Sequence, residues 1–467
     1  MSNSSRKGPE TLKKIKSGVF SRGFALARVS VSSGVKVASH AVGSFFAEDA
    51  DQATRLKELL ISQVGLLSRE LGQLKGSVMK VGQMLSMYGE HFLPPEANQL
   101  LKSLQSQSPP LEWKVIEKVI QRQLPLARLK ELDIDSTPLA SASLGQVHRA
   151  VRKSDGRQFA MKIQYPGVDQ AIEGDLKALR SLLTFSKLIP KGPQFDELFK
   201  EVRFMLRQEV DYRKEFETTL EFRNLLASDP RYRVPEPIAE YSTARILTTS
   251  FEEGVAVDST EVLSLSQERR DALGVLALNL YFRELFEFAA VQTDPHFGNY
   301  KVRLGQNGEP DQLVLLDFGA VRKLPQKFLK AYVEMVKGAH LRDVDRMVRA
   351  ATQLGFLQGG DSDELKSSFV ELCQMISEPF FPPARGAEKE GVGDSFFDEN
   401  GAYCWEKTDL PQRVAKKGTQ LALLFKFRAP PREVVFLDRK LGGMFIFLSV
   451  LRVRIQSQDV VRPYLES

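Results

Sequence analysis

The feature that most constrains this chain is a set of polar residues placed around one short hairpin. Gln292-Thr293-Asp294-Pro295-His296-Phe297-Gly298-Asn299 sets an aspartate and an asparagine five positions apart. Two short strand-like runs follow, over 300–303 and 312–316, joined through Gln306-Asn307-Gly308, and the Asn-Gly step is a strong hairpin signal. Directly after the second run, Asp317-Phe318-Gly319 puts a carboxylate at a strand end beside a glycine that lets the backbone turn. Oxygen ligands so placed suit a hard cation such as Mg²⁺.

Composition narrows the classes further. With 467 residues, 42% of them hydrophobic and 27% charged, the chain holds enough apolar surface to fold, at about 150 residues per domain. Two cysteines, Cys373 and Cys404, and five scattered histidines exclude a disulfide framework and a structural zinc site. The net charge of +6 is concentrated at the start. Residues 11–47 contain Lys13, Lys14, Lys16, Arg22, Arg28 and Lys36 and no acid, so the remainder is close to neutral. A nucleic-acid binder spreads its basic residues over a domain face, so no nucleic-acid partner is expected. Segment 11–47 reads as a transit peptide, as a basic amphipathic segment on an anionic membrane surface, or as a solvated tail. No secretory signal is expected. The apolar run 441–451 is too short to span a bilayer and reads as a buried helix.

Along the chain, Leu71, Leu74, Val78, Val81 and Leu85 form an apolar helical seam. Lys80 and Gln83 lie opposite that seam, the ordinary place for solvent. Gly72 and Gly76 share their face, and a helical glycine costs roughly 1 kcal/mol relative to alanine. Close approach of another backbone or ligand would explain them, with Lys80 and Gln83 pointing into it. Strand-like runs follow at 138–150, 158–164 and 244–251, with a long helical stretch over 195–226. The segment 380–400 reads as a surface excursion. These patterns predict an α+β chain in four parts: a basic amphipathic segment 1–50, a helical extension 51–110, a strand-rich lobe 111–250 and a largely helical lobe 251–467. Two lobes meeting at a cleft favour a ligand site there.

The order D-x4-N, hairpin, D-F-G is that of a kinase catalytic loop and metal loop, in which the first Asp orients the attacking group while the Asn and second Asp hold metals bridging the phosphates. Phe159-Ala160-Met161-Lys162 is similar to the kinase strand whose lysine neutralises phosphates and pairs with a helix glutamate. Glu215 is placed to be that partner; the alternative, which its neighbours Arg213 and Lys214 would suit, is a solvated helix-surface charge. Where a glycine-rich phosphate loop belongs, the chain has Ala140-Ser141-Ala142-Ser143, stiffer but still small.

Lys80-Val81-Gly82-Gln83, this alanine-rich loop and Glu209-Val210-Asp211 together resemble the K-x-G-Q, Ala-loop and E-x-D motifs of the UbiB/AarF family of atypical kinase-like proteins, nearest its coenzyme Q-associated branch. The likeness runs from about residue 60 to 455 and includes Leu441-Gly442-Gly443. It implies a protein-kinase-like two-lobe fold with the helical extension packed over the active site and Lys80 paired with Glu209. It also implies Mg-ATP binding and hydrolysis linked to membrane lipids and ubiquinone biosynthesis. The expected catalytic set is Asp294, Lys162, Glu215, Lys80, Gln83, Glu209 and Asp211. The nucleotide is expected on Ala140, Ser141, Ala142, Ser143 and Lys162, and Mg²⁺ on Asn299 and Asp317. Expected partners are ATP, anionic lipids, isoprenoid quinone precursors and quinone-biosynthesis proteins. The expected location is the cytoplasm, peripheral to an inner membrane, or the mitochondrial inner membrane. Gln292 departs from the kinase pattern, standing where the catalytic-loop histidine is usual. Only five residues separate Gly319 from Pro325, and no A-P-E follows, so the platform that peptide kinases use for a substrate chain is missing. The leading expectation is an ATPase; a small-molecule or lipid phosphotransferase and an ATP-gated binding module are the alternatives.

Overall fold

The computed structural model describes residues 79–85, 110–185, 193–381, 393–425 and 432–466. Segment 1–50, Gly72, Gly76 and most of the expected extension lie outside them. The chain divides into two compact units, Met1–Phe216 with Pro237–Phe251, and Glu217–Glu236 with Glu252–Ser467.

In the first unit, β1 (Leu132–Ser141), β2 (Gly145–Arg152), β3 (Gln158–Gln164) and β5 (Ile246–Ser250) form an antiparallel sheet in that order. Alternation decides which way β3 faces. Phe159, Met161 and Ile163 are fully buried in one core with Ile116, Val119 and Ile120 of α1 (Trp113–Gln123), each burial worth about 1.5–3 kcal/mol. Lys162, between them in sequence, is left on the other face, opposite Val147. After α1 come α2 (Leu126–Glu131) and, beyond β3, α3 (Val168–Phe185), α4 (Pro193–Glu209) and the start of α5 (Tyr212–Leu225), whose residues from Glu217 onward are counted with the second unit.

Two expectations change here. The run 138–150 is not one strand. It is the end of β1 and most of β2, separated by a turn that Ala142 N closes by donating to Gly145 O at 2.8 Å. Gly145 is needed at that turn, because a Cβ there would meet Ile163 O at 2.5 Å. The helix expected over 195–226 is also broken, at Val210-Asp211. The Asp211 carboxylate accepts from Lys214 N at 3.1 Å and so caps α5, while Gln164 Nε2 donates to the Val210 carbonyl at 3.0 Å. An aspartate that can bond its own backbone favours such a cap over a helix interior.

In the second unit, β4 (Tyr232–Arg233), β9 (Gln312–Leu315), β8 (Tyr300–Arg303) and β6 (Val255–Ala256) make a sheet in that order, with β4 and β9 parallel. Asn307 and Gly308 both have positive φ at the β8–β9 turn, as the sequence predicts. A second ladder pairs β7 (Ala290–Gln292) with β10 (Val321–Lys323), and a third pairs β11 (Tyr403–Cys404) with β12 (Arg454–Ile455). The helices are α6 (Thr260–Leu263), α7 (Gln267–Phe282), α8 (Gln326–His340), α9 (Val344–Leu354), α10 (Asp363–Ser377), α11 (Leu410–Leu424), α12 (Arg432–Val450) and α13 (Ser457–Leu465). Leu273, Leu276 and Leu280 of α7 and Leu441, Phe445 and Leu448 of α12 lie in the same core. The run 441–451 is therefore helical with one buried face, as expected, while Ile446 is exposed on the other. Among the described residues, no helix is long and apolar enough to cross a membrane.

Candidate active site

The first unit builds a cation held by a carboxylate. Lys162 reaches from β3 to Glu215 in the first turn of α5, with Nζ 2.6 Å from Oε1 and 2.9 Å from Oε2. Glu215 is 3% exposed and Lys162 24%, so the carboxylate is the buried anchor and the ammonium the reachable end. Glu215 is therefore not the solvated surface charge that its neighbours Arg213 and Lys214 suggest. Lys80, in the helical turn 79–85, lies 2.7 Å from Glu209 Oε1 at the end of α4. Gln83 is half-buried on the same turn. Asp211 is exposed and serves as the α5 cap. Ala140, Ser141 and Ala142 are exposed and Ser143 half-buried at the β1–β2 turn, where the Ser141 hydroxyl lies 3.2 Å from that of Tyr165.

The second unit builds two polar loops pinned together. Residues 293–299 leave β7, and Asp317-Phe318-Gly319 leads into β10, so the β7–β10 ladder fastens the start of one loop to the end of the other. Thr293 adds two bonds to Ala320 O, from N at 3.0 Å and Oγ1 at 2.7 Å. Leu316 N donates to Asn299 O at 2.9 Å. Gln292 spans both loops: its Oε1 accepts from Asp294 N at 3.2 Å and its Nε2 donates to Asp317 O at 3.4 Å. The side chain that departs from the kinase pattern thus ties the two loops to each other. Asn299 Nδ2 donates to Asp294 O at 2.9 Å, which turns the amide oxygen the other way. Asp317 Oδ1 accepts from Gly319 N at 2.9 Å. An amide oxygen and a carboxylate fit Mg²⁺, which takes few protein ligands and completes its shell with water and phosphate oxygens. Among the described residues no cluster of three or more His, Cys, Asp or Glu could hold a metal alone.

Sequence reasoning missed the layer behind these loops. Arg439 Nη2 of α12 donates to Asp294 Oδ1 at 2.8 Å. The next residue, Lys440, lies 2.9 Å from Glu284 and donates to the Tyr300 hydroxyl at 3.1 Å. Glu284 sits in a π-turn over 283–287 and also accepts from Gln292 N at 3.3 Å. Burial pushes the Glu284 carboxyl above its ordinary range even beside Lys440. Burial pulls Lys440 down, but the Glu284 and Tyr300 partners outweigh it and leave the ammonium raised. The available signal was Asp438-Arg439-Lys440, three consecutive charges between the apolar runs 434–437 and 444–448 of one helix.

A strand lysine gripped by a helix glutamate, an Asp/Asn loop and a D-F-G turn pinned to it define a protein-kinase-like fold. The ABC1 atypical kinase-like domain matches residues 103–351. Over 396 residues the chain is 32% identical to "Atypical kinase COQ8, mitochondrial" of Saccharomyces cerevisiae, covering 84% of this chain and 74% of that protein. The chain belongs to the ABC1 atypical kinase-like family, of UbiB/COQ8 type. It is also 32% identical over 388 residues to "Atypical kinase COQ8B, mitochondrial" of Rattus norvegicus, covering 83% and 69% of the two chains. Among solved structures, the complex of Rv3197 with erythromycin from Mycobacterium tuberculosis is similar at 25% identity and TM-score 0.56, over 89% of this chain and 98% of that one.

Proposed function

We propose that this chain binds Mg-ATP and hydrolyses it at a membrane surface, in support of isoprenoid quinone (ubiquinone) biosynthesis. Lys162, oriented by Glu215, neutralises the phosphates; Asn299 and Asp317 hold the metal; Asp294 orients the attacking group. The observation that carries this reading is the pinned pair of loops, in which Gln292 bonds both Asp294 and Asp317. Phosphoryl transfer depends chiefly on such positioning. Water or a small molecule is favoured over a peptide as acceptor, because β10 ends at Lys323 and α8 begins at Gln326. The membrane setting draws on the basic, acid-free segment 11–47. Following labelled γ-phosphate from ATP, with and without anionic liposomes, tests the proposal. Label released to water and stimulated by liposomes is the expected result. Label in an extractable lipid points instead to a phosphotransferase. No turnover, with nucleotide still raising the melting temperature, points to a gated binding module.

A further inference from the structure

A carboxylate that orients an attacking oxygen must be held in one rotamer, and loop 292–299 contains no lysine or arginine to hold it. The cation comes instead from α12, 145 residues further along the chain, where the half-buried Arg439 meets Asp294 Oδ1. Arg439, Gly443 and Phe447 recur every fourth residue and so share one helix face. That face meets the loop at three of its residues. Arg439 takes the Asp294 carboxylate, and Gly443 admits Pro295 so closely that a Cβ there would lie 2.0 Å from the proline Cβ. Phe447 stands edge-on to Phe297 with ring centroids 5.9 Å apart.

We propose that Arg439 is the positioning residue of Asp294. Its charge-assisted hydrogen bond fixes Oδ1 and presents Oδ2 to the attacking water. The water proton passes to Oδ2 as the bond from water oxygen to γ-phosphorus forms and the bond to the departing ADP breaks; the proton then leaves to solvent. This inference rests on the ATPase reading above, so the experiment separates the two. Phosphate release is measured for wild type, Asp294→Ala, Arg439→Ala and Arg439→Lys in the full chain, with melting temperatures alongside. Turnover by wild type and its loss in Asp294→Ala establish the reading; absence of wild-type turnover overturns both it and the inference. With turnover established, Arg439→Ala is expected to lower kcat by about 10²-fold, the scale of a small misplacement of a reacting group, with KM for ATP unchanged. Arg439→Lys restores part of kcat, and so does guanidinium ion added to Arg439→Ala at concentrations that do not unfold it. An unchanged kcat in Arg439→Ala overturns the inference. A fall in kcat that tracks a fallen melting temperature, with no rescue by lysine or guanidinium, shows Arg439 to be structural and overturns it too.

Discussion

Replacing Lys440 by methionine keeps most of the side-chain volume and removes the charge from a pair that water does not reach. Lys440 is 1% exposed and Glu284 2%, with Nζ 2.9 Å from Oε2. Breaking such a pair from one side strands the other charge, at a cost of about 3–5 kcal/mol. In a unit of roughly this size each kcal/mol moves the melting temperature by about 2–4 °C, so the expected fall is about 6–20 °C. Glu284 answers by taking up a proton. Its folded-state pKa is already raised by burial and rises further without Lys440. A raised carboxyl makes folding most favourable where it is protonated, so the deficit of the variant shrinks as pH is lowered and grows as pH rises. Adding Glu284→Gln removes the stranded charge and is expected to recover most of the loss. Calorimetry of the three proteins at acid and neutral pH reads both effects. A fall of less than about 2 °C in Lys440→Met, below the smallest shift that a buried pair implies, would refute the reasoning. So would a double variant no more stable than the single.

Lys80→Ala removes a partly exposed ion pair worth at most about 1 kcal/mol. Its melting temperature is expected to stay near wild type while Mg-ATP affinity, read by titration calorimetry, changes; equal affinity would remove Lys80 from the site. His148 is buried, with Nδ1 2.7 Å from the Asp135 carbonyl and Nε2 2.8 Å from Gln146 Nε2. A carbonyl only accepts, so Nδ1 carries the proton and Nε2 accepts from the amide. Burial holds this histidine below its ordinary 6.5. Its neutral form therefore contributes stability fully above that value, and the contribution is lost as pH falls toward the lower folded pKa. Hydrogen exchange across β1–β3 is expected to be faster relative to the unfolded chain at pH 5 than at pH 7.5; equal protection would contradict this. Gln292→Ala removes the amide that joins Asp294 N to Asp317 O. The concentration of Mg²⁺ needed for half-maximal turnover should rise, and an unchanged value would show that the loops hold without this link.

What the sequence makes legible is what repeats or stands close together. The alternation of Phe159, Met161 and Ile163 places Lys162 on the face opposite the core, and Asn307-Gly308 marks the hairpin between the two loops. The order of Asp294, Asn299 and Asp317 is readable because the three flank a single short strand pair. Asp211 carries two signals at once. Its type and spacing match a site motif, yet the same carboxylate caps a helix, and the local backbone bond decides its conformation. Arg439 and Lys440 were not legible at all as partners of Asp294, Tyr300 and Glu284. Pairings across well over a hundred residues leave no period in the chain, and only the cost of burying charge in an apolar helix hints that partners must exist.

The central claim is that Asn299 and Asp317 present a metal-bound ATP to Asp294. The most direct measurement is phosphate release from Mg-ATP by wild type and Asp317→Asn, on anionic liposomes, with melting temperatures to show that both proteins are folded. The account predicts turnover in wild type and its loss in Asp317→Asn at an unchanged melting temperature. Equal turnover by the two proteins would contradict it.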